Sequence, residues 1–420
     1  MIDPQSILPL DQTLAPSTAA EVAEAIRAAA HQKTAVYPLG GGSRLALGPR
    51  PKRRGLGLSL AGLNRQIDYP CRDLTVTVEA GMTVAQLAAT LAAQRQRLPV
   101  DVPDAQRATV GGIVATGAAG PRRFAYGTIR DYLLGFTAID GQGNAFSGGG
   151  RVVKNAAGYD MCKLLVGSQG TLGVLTQVTL MVRPLPQATA IVGCTLPDLE
   201  KAEGLLEWLN RSALRPVAVE LLAGPAWQDL AELGPLTPAA AARLLVGFEG
   251  PQDEVSWMVD ELRQQWSQQR LESALVAGQD TEPLWTRLTD FALAGPANNG
   301  APRLALEIAS MPSRVVPLMH DLLRQDRRWS LQAHAASGNL LAMLPGVEPG
   351  QCATLVTERL RPTVAQAEGR MIVTAFPPQA ALTHGDVWGE PPAGLPVMRS
   401  IKQQFDPCNI LNPGRYLFEE

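Results

Sequence analysis

Glycines, charged residues and β-branched residues alternate densely between residues 147 and 180, which read SGGGRVVKNAAGYDMCKLLVGSQGTLGVLTQVTL. Glycine lets the backbone adopt positive φ and approach a ligand closely. The glycines with this freedom are Gly148, Gly149, Gly150, Gly158, Gly167, Gly170 and Gly173. Residues 174–182 then alternate in the manner of a half-buried strand. The pattern predicts the wall of a cofactor site.

A second glycine-rich loop lies at residues 37–48, YPLGGGSRLALG. Gly40, Gly41 and Gly42 follow the apolar stretch 35–37, and successive backbone N–H groups in such a loop can form a nest for an anion. A pyrophosphate would fit this nest. The Rossmann fingerprint, G-x-G-x-x-G at the start of a helix with an acidic residue about 20 positions on, is absent.

A third glycine-rich stretch spans residues 103–132, PDAQRATVGGIVATGAAGPRRFAYGTIRDY. It places two glycines at 111–112, a Thr-Gly pair at 116–117 and Gly120 in a nearly uncharged segment that Arg122 and Arg123 close. Such a segment suits a flat, mostly apolar ring system. Three stretches of this kind indicate one extended ligand.

Together these motifs resemble the FAD-binding oxidoreductases of the p-cresol methylhydroxylase and vanillyl-alcohol oxidase type. The resemblance rests on the GGGS loop at 40–43, the segment ATVGGIVATGAAGPRRFAYGTIRD at 108–131 and VVKNAAGYDMCKLLVGSQGTLGVLTQVTL at 152–180. It covers about the first 185 residues and the last twenty. Within the family, the KNAAGYD run and the tail MRSIKQQFDPCNILNPGRY are most similar to the smaller FAD-binding subunits of glycolate oxidase complexes.

The resemblance implies a set of residues that contact FAD. They are Pro38, Gly40, Gly41, Gly42, Ser43, Pro103, Thr109, Gly111, Gly112, Thr116, Gly117, Gly120, Arg122, Gly127, Lys154, Gly158, Tyr159, Gly170, Gly173, Val174 and Asn412. The family often attaches FAD to a histidine in the loop that corresponds to residues 40–43, where this chain has Ser43, and Cys71 and Cys162 are not at a matching position. We therefore expect non-covalent FAD.

The resemblance also implies partners and a substrate class. The partners are a larger FAD-binding catalytic subunit and an iron–sulfur subunit, and the substrate is a small 2-hydroxy acid. Its oxidation needs an arginine or lysine for the carboxylate and a base for the hydroxyl proton. The weak candidates are His334, His384, Arg303 and Lys402, and the base is left unassigned; Arg399, Lys402 and Arg415 could also place positive charge near the flavin or an anionic substrate.

His334 opens HAASGNLLAML, which resembles the family's His-x-Gly-Asp-Gly-Asn-hydrophobic-His strand. Ser337 stands where the family has aspartate, and Leu341 stands where it has a second histidine. Leucine can neither bind a metal nor accept a proton. We therefore infer a chain that keeps FAD and has lost at least part of the substrate-oxidation site.

Composition excludes several classes of protein. The chain has 420 residues, a hydrophobic fraction of 46%, a charged fraction of 18% and a formal charge of −2, so it can bury a large core but offers no basic stripe for nucleic acid. Five scattered cysteines without a C-x-x-C pair predict reduced thiols and no metal site, with Cys408 a buried small hydrophobe or, less favoured, part of a partner interface. No signal peptide or spanning segment is evident. We expect a cytoplasmic protein, at most peripheral at the inner face of the membrane.

The elements that must hold these motifs can be read from caps and periodicity. Thr18 with Glu21 predicts a helix to about residue 31, and Thr83 with Gln86 predicts another to about residue 94. Strands at 217–222, 243–248, 303–308 and 338–344 alternate with amphipathic helices at 201–210, 253–268, 282–291 and 316–325. In the helix at 253–268, Trp257 and Trp266 point to roughly opposite sides, so only one can face the core.

The predicted fold class is α+β. We expect residues 1–185 to form a two-part FAD-binding domain, residues 186–395 an antiparallel sheet with helices on one face, and residues 396–420 a segment returning to the FAD domain. Three functions remain open: an FAD-binding subunit of a glycolate oxidase-like complex, which is favoured; a free-standing FAD-dependent 2-hydroxy-acid dehydrogenase; and a degenerate module that serves only as an assembly scaffold.

Overall fold

The computed structural model divides into two compact units. It describes residues 4–150, 159–233, 241–291, 293 and 303–417. The first unit contains residues 1–119, 127–185 and 383–420, and the second contains residues 120–126 and 186–382. The chain therefore returns to the first unit at Thr383, whereas the sequence predicted a return at residue 396. In this returning segment, the ring of Trp388 packs against that of Tyr416, with 5.2 Å between the ring centroids.

The strands of the described residues are distributed over both units. In chain order they are β1 Leu10–Leu14, β2 Ala35–Leu39, β3 Gly55–Ser59, β4 Gln66–Asp68, β5 Thr75–Glu79, β6 Gln96–Arg97, β7 Leu133–Ile139, β8 Ala145–Gly149, β9 Val174–Met181, β10 Arg183–Pro184, β11 Ala188–Leu196, β12 Ala218–Ala223, β13 Ala242–Gly250, β14 Ser273–Ala277, β15 Arg303–Ala309, β16 Ser330–His334, β17 Asn339–Pro345 and β18 Arg370–Ala375.

The α-helices alternate with these strands. They are α1 Ala19–Gln32, α2 Val84–Ala92, α3 Val110–Thr116, α4 Arg123–Tyr126, α5 Ile129–Tyr132, α6 Met161–Leu165, α7 Glu200–Arg211, α8 Gln252–Gln268, α9 Thr281–Asp290, α10 Val315–Gln325, α11 Pro349–Thr354, α12 Arg361–Gln366, α13 His384–Trp388 and α14 Leu395–Phe405. A π-helical segment at Leu355–Leu360 joins α11 to α12.

The first unit has two main sheets, as the two-part prediction requires. A parallel sheet has the order β1-β3-β2, and an antiparallel sheet has the order β4-β5-β9-β7-β8. Helix α1 packs Val22 and Ile26 into a buried cluster with Val36 of β2. Ile410 and Leu411 of the tail complete this cluster, so the two ends of the chain share one core.

The second unit is built on one antiparallel sheet with the order β14-β11-β13-β12-β16-β17-β15-β18. Trp285 and Leu288 of α9 pack against Leu222 of β12 and Leu245 of β13. These elements confirm the α+β class. In α8, Trp266 is 1% exposed and Trp257 is 51% exposed, which confirms that only one of the two indoles faces the core.

Local sequence signals position several of these elements. Thr18 caps α1 by accepting a hydrogen bond from the backbone N–H of Glu21 at 3.2 Å. Thr83 and Gln86 form a reciprocal capping box at α2. Both helices begin where the caps predicted, because the side-chain oxygen satisfies an N–H that the first turn leaves without a partner.

All five cysteines are free thiols. Cys162, Cys194 and Cys352 are buried, but Cys408 is exposed, so the prediction of burial was wrong for this residue. It lies in the turn that follows α14, where its side chain has no core to enter. Among the described residues, no helix combines the length and apolar character needed to cross a bilayer.

Candidate cofactor-binding site

A single cleft in the first unit collects the glycine-rich segments. About 1060 Å³ of space, part of it open solvent, lies in and before the cleft. Fourteen of the predicted cofactor residues line it: Pro38, Gly40, Gly41, Gly42, Ser43, Pro103, Thr109, Gly111, Gly112, Thr116, Gly170, Gly173, Val174 and Asn412. Segments far apart in the sequence are thus brought to one site.

The loop after β2 runs so close to the neighbouring segment that it needs glycine. A Cβ at Gly41 would lie 1.5 Å from the backbone oxygen of Arg107, and a Cβ at Gly40 would lie 2.3 Å from Oγ1 of Thr109. Real Cβ atoms do not approach other atoms this closely, so these positions exclude any side chain. The result is a bare backbone wall, which can present N–H groups to an anionic group.

Helix α3, from the stretch at 103–132, and the loop before β9 are tied together by backbone hydrogen bonds. The N–H of Gly167 donates to the oxygen of Val114 at 3.0 Å, and the N–H of Gln169 donates to the oxygen of Ala115 at 2.8 Å. Both acceptors belong to α3, which Thr109 caps by accepting from Gly112. The loop before β9 is therefore fixed to the helix that lines the cleft.

The tail closes the cleft from its other side. The backbone N–H of Asn412 donates to the oxygen of Val36 at 2.8 Å, and its side-chain amide donates to the oxygen of Gln169 at 2.6 Å. Asn412 has a φ of 48°, the left-handed region that asparagine tolerates better than most residues. This one residue links β2 to the loop before β9.

Two arginines on the cleft wall have different roles. Arg415 is buried and donates to the backbone oxygens of Leu45 at 2.7 Å and Leu47 at 2.6 Å, so it holds the chain that follows the glycine loop. Burial lowers the pKa of Arg415 to about 10. Arg44 also lines the cleft, and its buried Nε has no hydrogen-bond partner among the described residues. Arg44 is therefore free to donate to an anionic ligand.

Several lining residues were not in the predicted set. Arg44, Ser168, Gln169 and Arg415 are the polar ones, and Leu8, Leu45, Leu60, Val102, Ala108, Ile113, Ala115, Ala118 and Leu175 complete the wall. Arg415 was expected to place positive charge near the flavin or the substrate, although it was not in that set. Arg44 follows the glycine loop directly, so a basic residue beside an anion nest was a signal that could have found it. The apolar majority gives the flat ring system a dry surface.

Some predicted cofactor residues do not line the cleft. Gly117, Gly127 and Tyr159 lie outside it, and the Tyr159 side chain is 96% exposed. Gly120 and Arg122 belong to the second unit, where Arg122 donates to Oε1 of Glu249 at 2.8 Å. Lys154 and Gly158 lie outside the described residues, as does the predicted loop at 294–301.

Lys402 is a structural residue of the first unit. Its Nζ forms an ion pair with Asp406 at 2.5 Å and donates to the backbone oxygens of Thr171 at 2.9 Å and Leu411 at 3.1 Å. The Lys402 side chain is 8% exposed and does not line the cleft. The structure therefore uses this lysine to join α14 to the cofactor loop and the tail.

His384 begins α13 in the first unit and lies outside the cleft wall. Its Nε2 is buried without a hydrogen-bond partner among the described residues. In the second unit, Arg303 donates to the backbone oxygen of Leu293 at 2.8 Å, and burial lowers the pKa of its guanidinium. Neither residue shares a described cluster with the other catalytic candidates.

His334 ends β16 in a buried polar cluster of the second unit. Its Nδ1 lies 2.8 Å from Oε1 of Glu220, and the side-chain amide of Gln332 donates to Oε2 of the same carboxylate at 2.7 Å. Leu341 of β17 is paired with Gln332 across the strands. The cluster therefore contains one imidazole, fixed by a carboxylate. Over the described residues, no three His, Cys, Asp or Glu side chains are grouped to hold a metal ion.

Comparison with known proteins agrees with this architecture. The profile of the FAD binding domain matches residues 10–149, and that of the C-terminal domain of FAD linked oxidases matches residues 185–344 and 389–416. The structure of an alkyldihydroxyacetonephosphate synthase shares the fold, with a TM-score of 0.71 at 19% identity over 96% of this chain and 76% of that chain.

Curated relatives cover nearly the whole chain. Identity is 30% to the glycolate oxidase subunit GlcE of Escherichia coli, over 94% of this chain and 96% of that protein. It is 26% to the glycolate oxidase subunit GlcD of Bacillus subtilis and 29% to a D-2-hydroxyglutarate dehydrogenase of Xanthomonas citri, in each case over 96% of this chain and 88% of the relative. The chain belongs to the FAD-linked oxidoreductases of the p-cresol methylhydroxylase type, and FAD is its cofactor.

Proposed function

We propose that this chain is the FAD-binding subunit of a glycolate oxidase complex. It takes part in the oxidation of glycolate to glyoxylate beside a larger FAD-binding catalytic subunit, and an iron–sulfur subunit carries the electrons onward. Leu341 stands where the family pattern has a second histidine, and it pairs with Gln332, two residues from His334. This replacement, in a chain similar to GlcE over nearly its full length, is the observation that carries the proposal.

Glycolate oxidation places defined demands on a protein. The carbon that bears the hydroxyl group loses a hydride, the hydroxyl group loses a proton, and the product is an aldehyde. The flavin supplies the two-electron acceptor for the hydride and can pass electrons on singly. The protein must hold the carboxylate and accept the proton.

The polar cluster of the second unit meets only part of this demand. Glu220 fixes the orientation of His334 through Nδ1, which leaves one imidazole as a possible proton acceptor. Leu341 occupies the position where the family pattern has a second histidine, and an alkyl side chain neither accepts a proton nor binds a metal. This supports an accessory role, with the main oxidation on the larger subunit.

The cleft of the first unit suits FAD in a non-covalent state. Its glycine loop and the unpartnered Nε of Arg44 can receive the pyrophosphate, and Ile113, Val174 and Leu175 offer apolar surface to the ring system. None of the described lining residues is a histidine or cysteine, the side chains that commonly link to flavin. We therefore propose that FAD is released, not retained on the chain, when the protein is precipitated with trichloroacetic acid.

The test is to prepare the chain alone and with its partner subunits, record the visible flavin spectrum, and add glycolate without oxygen. The proposal expects FAD on the lone chain that bleaches with glycolate only in the complex. If the lone chain bleaches directly, the proposal is overturned and the chain is itself the dehydrogenase. If the lone chain carries no flavin, the scaffold hypothesis regains support.

The variant His334→Gln refines this test within the complex. If His334 were the base of the main reaction, its loss would lower turnover by roughly 10²–10⁴-fold. The accessory role expects no such loss. Arg211→Gln, a change to an exposed residue of α7 paired with Glu207, serves as the matched control.

A free-standing dehydrogenase is the second candidate, favoured by the similarity to D-2-hydroxyglutarate dehydrogenase over 96% of the chain. That protein's name gives a 2-hydroxy acid as the substrate of a dehydrogenase. For this chain, the candidate would need a base other than Lys402, because that lysine is buried in its pair with Asp406. Turnover of several 2-hydroxy acids by the lone chain would select this candidate.

A further inference from the structure

A second cavity lies wholly within the second unit, at the end of its sheet. About 1280 Å³ of space, part of it open solvent, lies in and before this cavity. The end of β12, the short helix Pro225–Trp227, the start of β13 and the C-terminal part of α10 form these walls. No residue of this cavity belongs to the cofactor cleft or to the polar cluster around His334.

The described residues that line this cavity include several basic side chains and no acidic one. Arg243, Arg324, Arg327 and His320 line it, and none of its described lining residues is aspartate or glutamate. Arg324 and Arg327 are exposed at the rim, and Arg243 is 4% exposed at the base. An arrangement of this kind attracts anions and gives them a buried partner.

Two residues of the wall carry a buried donor that has no hydrogen-bond partner among the described residues. The donors are Nε of Arg243 and the indole Nε1 of Trp227, whose side chain is 2% exposed. One terminal nitrogen of Arg243 donates to the backbone oxygen of Gln228 at 2.9 Å, which fixes the guanidinium while Nε stays unpaired among the described residues. Buried donors are normally satisfied, so two unpaired donors in residues that line one cavity call for an explanation.

The charges around Arg243 also bear on whether this cavity binds an anion. Burial lowers the pKa of Arg243, the nearby Arg287 lowers it further, and Asp229 opposes the shift. Arg287 is itself paired with Glu232 at 3.2 Å, and His320 lies 3.5 Å from Glu200. Glu232 and Glu200 are thus engaged with other cations, while Asp229 acts on Arg243 from outside the cavity lining.

We propose that this cavity binds a small ligand through an oxyanion, a phosphate or carboxylate group, that accepts from Arg243 and Trp227 while Arg324 and Arg327 hold it at the rim. Arginine has the planar fork that such groups prefer. Arg243 and Trp227 lie below the exposed rim formed by Arg324 and Arg327, so the oxyanion must be small enough to pass the rim. This site goes beyond the proposed function, since no step of glycolate oxidation uses it.

The test is calorimetric titration of the FAD-loaded protein with inorganic phosphate, pyrophosphate and citrate, against chloride at equal ionic strength. FAD fills the anion nest of the first unit, and flavin fluorescence shows that it stays bound. The proposal expects saturable binding of at least one oxyanion and none of chloride. Stronger binding of pyrophosphate identifies a phosphate ligand, and stronger binding of citrate identifies a carboxylate ligand.

Three variants locate the binding. Arg243→Gln should weaken it by about tenfold or more, because a charge-assisted hydrogen bond is lost. The double variant Arg324→Gln/Arg327→Gln changes only exposed residues, so it tests the site even if Arg243→Gln folds poorly. Arg211→Gln removes one exposed charge elsewhere in the same unit and should leave binding unchanged. Equal weakening by Arg211→Gln, unchanged binding in the rim variant, or no preference over chloride would overturn the proposal.

Discussion

Replacing Lys402 with methionine removes the cation from a buried pair that joins three segments of the first unit. Nζ of Lys402 donates to Asp406 at 2.5 Å, to the backbone oxygen of Thr171 at 2.9 Å and to that of Leu411 at 3.1 Å. Asp406 is fully buried, with a side-chain exposure of 0%. Methionine fills a similar volume but leaves the carboxylate without its cation.

The expected cost follows from this geometry. Removing one partner of a buried ion pair typically costs about 3–5 kcal/mol, because the remaining charge stays buried and uncompensated. For a unit of this size, each kcal/mol lowers the melting temperature by roughly 2–4 °C, so the shift should be about 6–20 °C. The double variant Lys402→Met/Asp406→Asn should recover part of this loss, since it removes the buried charge as well.

Urea unfolding of the FAD-loaded protein, followed by circular dichroism and by flavin fluorescence, measures this cost. Lys52→Met, which changes an exposed lysine of the same unit, is the matched control and should be close to neutral. A loss below about 1 kcal/mol in Lys402→Met, comparable to a surface substitution, would refute the reasoning. Early release of flavin in this variant would further show that the pair supports the cofactor loop at Thr171.

The same lysine predicts a pH dependence. Burial lowers the pKa of Lys402 below its usual value of 10.5, although Asp406 opposes the shift. Between the lowered pKa and 10.5, the unfolded chain binds more protons than the folded chain, so stability gains from this group as pH rises. The difference in unfolding free energy between the wild type and Lys402→Met should therefore increase with pH in that window. A difference that stays constant or shrinks there would contradict the assignment.

Two further predictions concern the glycine loop and the thiols. In Gly41→Ala, the new Cβ would lie 1.5 Å from the backbone oxygen of Arg107, so the loop must move and FAD affinity should fall about tenfold or more, as flavin fluorescence titration can measure. Gly204→Ala on α7, where no atom lies within 4 Å of the new Cβ, should keep FAD affinity and gain about 0.5–1 kcal/mol. Iodoacetamide should label the exposed Cys408 in the native protein and spare Cys194, because burial protects that thiol and raises its pKa to about 12; equal labelling by mass spectrometry would contradict this.

The parts of the fold that sequence predicted well are those set by local chemistry. Caps at Thr18 and Thr83 determine where α1 and α2 begin. In each cap the side-chain oxygen accepts a hydrogen bond from the N–H three residues later, so both partners lie within one turn of the sequence. The glycine loops were visible for a similar reason. At Gly40 and Gly41 the backbone packs too closely to admit any other residue, so the sequence carries the constraint directly.

The remaining features depend on contacts between distant segments. The resemblance placed Arg122 among the residues that contact FAD, but its side chain pairs with Glu249, which is more than a hundred residues away. Arg44 and Arg415 both line the cleft, yet one has an unpaired Nε and the other is saturated by carbonyl oxygens. The position beside the glycine loop marks Arg44, but no local pattern shows which arginine is saturated, because that depends on which backbone oxygens the fold brings to each.

The shared core of the two chain ends has a consequence for biosynthesis. Leu411 forms a parallel bridge to Val36, and Asn412 donates to the oxygen of the same residue. A ribosome releases residues 186–382 before it releases these late residues, so the sheet of the second unit can form while the first unit still lacks its closing segment. Flavin capture should then follow translation of the tail, and a nascent chain arrested before residue 411 should emerge without the cofactor.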